Sequence, residues 1–244
     1  MLKFYYHPAP NPAKVALLLE ELGLPYEVVP VDTRKGEQFT PAYRAINPNS
    51  KTPALEDGDV KVFDSNAILL YLAEKTGRFL PADTPVARGE LLSWLMFVAS
   101  GVGPFSGQAV HFNRVAPEPK EYPQKRYAYE AQRHWGILES RLGQQHYVVG
   151  DTYTVADMAV WGWARAIPFI FGDGAWDSRP NLKRFVDEIN ARPAAARVDA
   201  PAPCGWQFAA ARSKSGCDTR IGSMPARPRR KTPACNPPPL PADS

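Results

Sequence analysis

The sequence has 244 residues, of which 44% are hydrophobic and 22% charged, as is ordinary for a globular protein. Its net charge of +4 lies after residue 198, and the neutral body before it gives no electrostatic reason to expect nucleic acid as a partner. No apolar run approaches the ~18 residues of a membrane span and no signal-peptide layout is present, so we expect a cytoplasmic protein without a membrane partner. The three cysteines, Cys204, Cys217 and Cys235, also follow residue 198, which leaves the body without a thiol.

The first elements predict a strand–helix–strand unit. Leu2–Tyr6 is a short apolar and aromatic run typical of a strand. Asn11 and Pro12 then indicate a helix start, with Asn11 as the N-cap, and Gly23 indicates the end of that helix. The β-branched run Tyr26–Val31 predicts a second strand, parallel to the first through a right-handed crossover.

The following segment predicts a short helical turn, a hairpin and a helix. A single turn is expected near Ala42–Ile46. Thr52–Leu55 and Val60–Phe63 are predicted strands separated by an Asp-Gly-Asp hairpin signal. Ser65–Glu74 is an amphipathic helix that ends at Gly77.

The chain as a whole divides into two predicted domains and a tail. Residues 1–79 have the order β-α-β-α-β-β-α of a thioredoxin-like α/β domain, and residues 80–86 form a linker with two prolines. Residues 87–198 predict an all-helical domain. The Pro/Arg-rich tail, 199–244, is predicted to be disordered or non-native, because its composition cannot readily bury a core. The predicted helices are Ala87–Val102, Glu121–Leu142, Val155–Phe169 and Asn181–Ala191.

Asn11 is the candidate for chemistry in the first domain. It lies where the first strand meets the first helix, and a helix N-terminus favours a negative charge. A side-chain amide donor at this point could stabilise a thiolate. The competing interpretation is that Asn11 only caps its helix.

Two further segments are candidates for binding. If the Thr52–Pro53 peptide bond is cis, the backbone of Thr52 is turned outward and can pair with an extended peptide, although base rates alone favour trans. Lys51 would place a cation beside that edge. Asp64 and Ser65 open a helix, where Ser65 suits a carboxylate and Asp64 an ammonium, or where both only cap the helix. Together these segments suit a short ligand with a central thiol and terminal carboxylates, such as glutathione.

These residues stand in motifs that resemble the glutathione transferase superfamily, and in particular the bacterial Nu-class branch of disulfide-bond reductases. The resemblance covers roughly residues 1–197. The motifs are Pro8-x-Pro10-Asn11 with Lys14, Lys35-Gly36-x-Gln38-Phe39, Asn47-Pro48-Asn49-x-Lys51-x-Pro53-Ala54, Asp64-Ser65-x-Ala67-Ile68-Leu69, Gly103-Pro104, His111-Phe112-Asn113, Arg126-Tyr127, Tyr153-Thr154-Val155-Ala156-Asp157 and Arg192-Pro193-Ala194.

The resemblance implies roles for the candidate residues. Asn11 would be the catalytic donor to the glutathione sulfur, Pro53 would be cis, and Thr52 would pair with the backbone of the tripeptide. The other implied glutathione-binding residues are Asp64 and Ser65 for the γ-glutamyl end, Gln38 and Lys51 for further polar groups, and Arg126 from the helical domain. The family also implies glutathione as cosubstrate, no metal, and a homodimer.

The sequence departs from this branch at two positions beside Asn11. Ala9 stands where the branch usually has threonine, and Pro12 where it usually has glycine. Without a hydroxyl at Ala9, the thiolate depends on Asn11 and on backbone N–H groups. Lowering a thiol pKa by two units needs about 2.7 kcal/mol. A helix terminus supplies up to ~2 kcal/mol and a charged hydrogen bond ~1.5–3 kcal/mol, so these two contributions could suffice.

Two classes of function remain open at this point. The first is an enzyme that uses the glutathione thiolate either to reduce disulfides or to conjugate electrophiles. The second is a non-catalytic glutathione-binding or regulatory protein on the same fold, since a fold alone does not decide function. The Nu-class resemblance favours disulfide reduction.

Overall fold

The computed structural model describes residues 1–198, and the predicted tail lies outside the described residues. Residues 1–77 form a four-stranded mixed sheet with three α-helices. The strands are β1 (Leu2–Tyr6), β2 (Tyr26–Pro30), β3 (Ala54–Asp57) and β4 (Val60–Phe63). The helices are α1 (Pro10–Leu22), α2 (Pro41–Arg44) and α3 (Ser65–Thr76), with a 3₁₀ turn at Glu37–Phe39.

The order of the sheet is β2-β1-β3-β4. β1 is parallel to β2, with Leu2 opposite Tyr26, and antiparallel to β3, with Phe4 opposite Leu55. β3 and β4 form the hairpin that the Asp-Gly-Asp signal predicts. The thioredoxin-like fold class is therefore confirmed.

The predicted start of α1 is wrong by two residues. The helix begins at Pro10, and its N-cap is Ala9, which is extended at φ −164° and makes no side-chain capping bond. Two prolines fit in this first turn because its N–H groups have no partner within the helix. Asn11 is thus the second residue of α1 rather than its N-cap, and its side chain is free for another role.

The first strand of the hairpin also begins later than predicted. β3 starts at Ala54, so that Thr52 lies just outside the strand. The reason is that Pro53 has no N–H to donate to a neighbouring strand. The hydroxyl of Tyr43 and the amide of Asn47 donate to the Lys51 carbonyl, at 2.7 and 2.6 Å, and hold the segment that precedes β3.

Residues 85–198 form helices, as predicted, but their boundaries differ. The helices are α4 (Pro85–Phe97), α5 (Gly103–Val110), α6 (Glu121–Gln144), α7 (Val155–Ala164), α8 (Ile167–Phe171), α9 (Pro180–Asn190) and α10 (Pro193–Val198). Turns of π-helix, Val98–Val102 and His111–Val115, precede and follow α5. The first predicted helix, Ala87–Val102, ends where α5 begins, and α5 was not predicted. The π turn before Pro104 accommodates its missing N–H.

Two more helix predictions need correction. The predicted helix Val155–Phe169 is divided into α7 and α8. The break lies before Ile167, because Pro168 has no N–H to donate to the carbonyl of Ala164 and so cannot continue α7. The short helix α10 was not predicted. It packs against α1, and this contact stabilises a helix of six residues, which is too short to show a periodic pattern in the sequence.

One hydrophobic core runs through both parts of the chain. Leu17, Leu18 and Leu19 of α1 are all fully buried, although they point in different directions around the helix. α1 packs on α3 in the thioredoxin-like part and on α7 and α10 in the helical part. The first helix of the chain is therefore the centre of the whole described body.

Candidate functional site

The predicted binding segments converge at one edge of the sheet. The start of β3 pairs with the end of β1 and with the end of β4, so the segments after β1, before β3 and after β4 leave the sheet on the same side. The segment after β2 starts there too, because β2 runs parallel to β1. These segments carry the predicted residues Asn11, Gln38, Lys51, Thr52, Pro53, Asp64 and Ser65.

Lys14 joins the first turns of α1 and α3 beneath this edge. Its side chain is 1% exposed. Its Nζ donates to Ser65 Oγ and to Asn66 Oδ1, both at 3.3 Å. Because Ser65 Oγ accepts from an ammonium, the hydroxyl proton of Ser65 remains available for a ligand. The N-termini of two helices and one buried cation thus favour negative charge here.

Burial has a large effect on the charge of Lys14. It lowers the pKa of the ammonium to about 7, against the smaller opposing effect of the Asp64 carboxylate. Folding therefore destabilises the charged form of Lys14 relative to the neutral amine. An anion bound at Ser65 would stabilise it.

Asn11 is oriented by the helical part of the chain. The indole Nε1 of Trp163, on α7, donates to Asn11 Oδ1 at 2.8 Å. The Nδ2 group of Asn11 has no hydrogen-bond partner within residues 1–198, and the residue is half-buried rather than enclosed. The amide therefore offers donors to a ligand at the first turn of α1.

Glycines on α5 and α7 make this contact possible. A Cβ at Gly103 would lie 3.1 Å from Trp163 Nε1, and one at Gly107 would lie 3.5 Å from the far edge of the same ring. At Gly162 a Cβ would lie 2.6 Å from the Pro10 carbonyl oxygen and closer still to the Lys14 side chain. Only glycine at position 162 lets α7 approach the first turn of α1 so closely.

The Thr52–Pro53 peptide bond is cis, as the resemblance implies and contrary to the base rate. Thr52 is half-buried and Pro53 is buried. Neither the backbone N–H nor the C=O of Thr52 has a partner in the described part of the chain, so both can pair with an extended ligand. The side chain of Lys51 is exposed beside them.

Asp64 caps its helix, which is one of the roles that the sequence left open. Its Oδ1 accepts from the N–H groups of Asn66 and Ala67, at 2.8 and 3.4 Å, and so caps α3. Its backbone has φ +69°, a conformation that costs a non-glycine residue energy and that tends to occur at functional sites. The residue is exposed, and its second carboxylate oxygen remains open to a ligand.

Gln38 and Arg126 have other contacts. Gln38 donates through Nε2 to the Thr33 carbonyl at 3.3 Å, and its Oε1 is buried without a partner among residues 1–198. Arg126 forms an ion pair with Glu130 of its own helix at 2.9 Å. No hydrogen bond or ion pair of the described residues joins Arg126 to the converging segments. The sheet topology therefore brings the predicted residues Asn11, Lys51, Thr52, Pro53, Asp64 and Ser65 to one edge, whereas no hydrogen bond or ion pair of the described residues joins Gln38 or Arg126 to them.

Two residues of this site were missed or undervalued by sequence reasoning. Lys14 appeared only as part of a motif. A lysine inside the apolar run of α1 indicates a buried charge, and lysine is rarely buried unless its ammonium has partners. Trp163 gave no local signal, because its contact with Asn11 joins residues 152 positions apart.

Within residues 1–198, no group of three or more His, Cys, Asp or Glu side chains is arranged to hold a metal ion. None of the helices in that range combines the length and apolarity that a membrane crossing requires.

Comparison with known proteins identifies the family. The model of the glutathione S-transferase N-terminal domain matches residues 1–74, and that of the C-terminal domain matches residues 101–193. The disulfide-bond oxidoreductase YfcG of Escherichia coli is 40% identical over 201 residues, which cover 80% of this chain and 92% of that protein. The disulfide-bond oxidoreductase YghU of the same organism is 38% identical over 215 residues, covering 80% and 73%.

A solved structure has the same fold. It is a glutathione transferase from Burkholderia graminis with two glutathione molecules bound per subunit, 38% identical, with a TM-score of 0.77 over 83% of this chain and 89% of that one. The chain therefore belongs to the glutathione S-transferase family, and the resemblance to its disulfide-bond reductases is confirmed.

Proposed function

We propose that this chain is a glutathione-dependent disulfide-bond reductase. The observation that carries the proposal is the convergence of a free amide donor, an unpaired backbone edge and two helix N-termini on one edge of the sheet. These groups match the thiol, the peptide backbone and the carboxylates of one extended glutathione. The relatives named as disulfide-bond oxidoreductases support the choice of reaction.

Each predicted residue has a role in this proposal. Asn11 donates to the glutathione sulfur and is the catalytic residue. Thr52, preceding the cis residue Pro53, pairs with the peptide through its backbone. The γ-glutamyl end binds at Asp64 and Ser65. Gln38, Lys51 and Arg126 are proposed to contact the remaining polar groups of glutathione, Arg126 after leaving its partner Glu130.

The reaction is two successive thiol–disulfide exchanges. A first glutathione thiolate attacks one sulfur of the substrate disulfide, which gives a mixed disulfide and releases the other sulfur as a thiolate. A second glutathione thiolate attacks the glutathione sulfur of the mixed disulfide and releases the remaining substrate thiolate. Two glutathiones are oxidised to glutathione disulfide, and their two protons and two electrons appear in two substrate thiols. Residues 1–198 contain no cysteine, so the residues of the site supply no thiol, and we propose glutathione as the source of both attacking sulfurs.

The domain boundaries, the oligomeric state and the cellular compartment belong to the same proposal. We propose a thioredoxin-like domain at 1–79, a linker at 80–86, whose last two residues already belong to α4, and a helical domain at 87–198, in a cytoplasmic homodimer. The family relationship supports the dimer. Light scattering on the purified full chain tests it, because a monomeric mass at micromolar concentration contradicts a stable dimer.

The decisive experiment measures reduction of 2-hydroxyethyl disulfide by glutathione, catalysed by the purified full chain. The Asn11→Ala variant should lose roughly 10- to 100-fold in kcat/KM, the value of a hydrogen bond to a charged group. Asn190→Ala is the matched control, because Asn190 also accepts from an indole, that of Trp161, at 2.9 Å. It should retain turnover.

The outcomes separate the candidate functions. Unchanged turnover in Asn11→Ala removes Asn11 from the mechanism. A folded wild-type chain that conjugates an electrophile but reduces no disulfide is a transferase. One that binds glutathione in calorimetry without turnover of either kind is a non-catalytic binding protein.

A further inference from the structure

We infer that Trp163 is a positioning residue, which fixes the Asn11 carboxamide so that its N–H groups, and not its oxygen, face the glutathione sulfur. The inference rests on the proposed function and deepens it. It assigns part of the control over thiol reactivity to α7, in the helical part of the chain. Nothing in the sequence around Asn11 indicates this control.

The direction of the Trp163–Asn11 hydrogen bond is unambiguous. An indole nitrogen can only donate, whereas an amide has one accepting and one donating end. The 2.8 Å contact from Trp163 Nε1 therefore identifies the near end of the amide as the oxygen. The nitrogen then lies on the opposite side, without a partner among the described residues.

The orientation matters because the two ends of an amide act oppositely on a thiolate. An N–H group stabilises the anion and lowers the thiol pKa, and a carbonyl oxygen in the same place repels the anion and raises the pKa. Asn11 makes no other side-chain hydrogen bond within residues 1–198. Without the indole donor, the amide can rotate and present either end. Trp163 thus prevents the unproductive orientation.

The indole is itself held in place. Gly103 and Gly107 of α5 approach one side of the ring at distances that leave no room for a Cβ at position 103 without displacement. Gly162 lets α7 approach the first turn of α1, where the next residue along α7 is Trp163. The donor is therefore carried on packed helices rather than on a loop, as precise positioning requires.

The chain contains a matched control on the same helix. Trp161 donates to Asn190 Oδ1 at 2.9 Å, which is the same chemical contact made two residues earlier on α7 and directed towards α9. Replacing either tryptophan with phenylalanine keeps an aromatic ring and removes the N–H donor. A difference between the two variants in thiol chemistry thus reports on Asn11 and not on the loss of an indole hydrogen bond in general.

The experiment compares Trp163→Phe with Trp161→Phe in the pH profile of kcat/KM for the disulfide substrate at saturating glutathione, which reports the pKa of the enzyme-bound glutathione thiol. Trp163→Phe should move the acidic limb of the profile up by about one pH unit, which corresponds to up to tenfold less thiolate below the pKa. Trp161→Phe should leave that limb in place, whatever it does to the thermal unfolding temperature. In an Asn11→Ala background, Trp163→Phe should cause no further shift, because its effect acts through Asn11.

A profile of Trp163→Phe that superimposes on the wild type overturns the inference, and so does an equal shift with and without Asn11. If Trp163→Phe does not fold, hydrogen exchange of the indole N–H groups provides the test. Exchange at Trp163 should accelerate in Asn11→Leu, and exchange at Trp161 should not. Equal exchange at Trp163 in both proteins contradicts the hydrogen bond. A wild type that neither binds nor turns over glutathione contradicts the proposed function instead.

Discussion

Lys14 shows how a single buried charge can couple the site to the stability of the protein. Its ammonium is almost fully enclosed, and its two hydrogen-bond acceptors, Ser65 Oγ and Asn66 Oδ1, are neutral. Removing an ammonium from water costs free energy that neutral acceptors only partly return. The buried charge therefore lowers the free energy of unfolding, and it creates a positive electrostatic potential at the ligand site.

The shifted pKa of Lys14 predicts a specific dependence of stability on pH. Its folded-state pKa of about 7 lies below the ordinary lysine pKa of about 10.4. Between these values the unfolded chain binds more protons, so the contribution of Lys14 to the free energy of unfolding rises with pH. Urea denaturation at pH 7 and at pH 9 should show this rise in the wild type and much less of it in Lys14→Met.

Lys125→Met is the control for this prediction, because the Lys125 side chain is 77% exposed on α6. It should keep the wild-type slope of stability against pH. Equal slopes in the wild type and in Lys14→Met contradict the assignment. Lys14→Met should also raise the KM for glutathione, since Ser65 loses the charge behind it.

At the scale of single residues, the sequence predicted the candidate site residues that lie at the starts of helices. Asn11, Asp64 and Ser65 follow strands and open helices, and that pattern is local. Trp163 and the burial of Lys14 were not predictable in this way, because they depend on the contact between α1 and α7. A contact over 152 residues leaves no trace in a short window of sequence.

At the scale of elements, the start of α7 is a case in which sequence and structure agree. Thr154 and Asp157 match a capping box in the sequence, and both of its hydrogen bonds are present. The Asp157 carboxylate also accepts from the N–H of Val148 at 2.8 Å, which ties the preceding loop to the helix. This carboxylate is completely buried.

Asp157→Ala should therefore destabilise the protein by about 2–4 kcal/mol, because it leaves several buried donors without an acceptor. Chemical denaturation measures the loss. Asp187→Ala is the control, since Asp187 forms an exposed pair with Lys183 on α9 and should cost less than about 1 kcal/mol. Equal losses in the two variants contradict a special role for the capping box.

The close approach of α7 to α1 gives a second prediction at this scale. Gly162→Ala introduces a methyl group 2.6 Å from the Pro10 carbonyl oxygen, so the helices must separate. We expect a loss of about 1–3 kcal/mol in the free energy of unfolding, together with reduced turnover because Trp163 moves with α7. Gly89→Ala is the control, because open space surrounds the added methyl group on α4. It should be neutral or stabilising by up to about 1 kcal/mol.

The elements that sequence reasoning placed wrongly share a physical cause. Periodicity and turn signals located the strands, the hairpin and most helices, but the predicted helix end at Val102 is wrong, because a π turn there leads directly into α5. α10 is too short to have a pattern of its own. Such features depend on what the segment packs against, and this information is not local.

At the scale of the whole molecule, the shared core predicts that the two parts unfold together. Residues 1–79 contain no tryptophan, so the intrinsic indole fluorescence comes from the rest of the chain. The unfolding transitions by tryptophan fluorescence and by far-ultraviolet circular dichroism should coincide, as a single cooperative unit requires. A fragment of residues 1–79 should not fold alone, because α1 would expose the apolar surface that α7 and α10 cover. Separate transitions, or a folded fragment, contradict this prediction.

The central position of α1 also has a consequence for co-translational folding on the ribosome. α1 leaves the exit tunnel well before its partners α7 and α10, which are made near the end of the described body. At about 5–20 residues per second of synthesis, the apolar helix waits on the order of 10 s or more before these partners are made. During that interval the exposed apolar surface of α1 can bind chaperones. A chain that stops before Val198 lacks all or part of α10 and leaves part of α1 uncovered, so the truncation affects the N-terminal part of the protein as well.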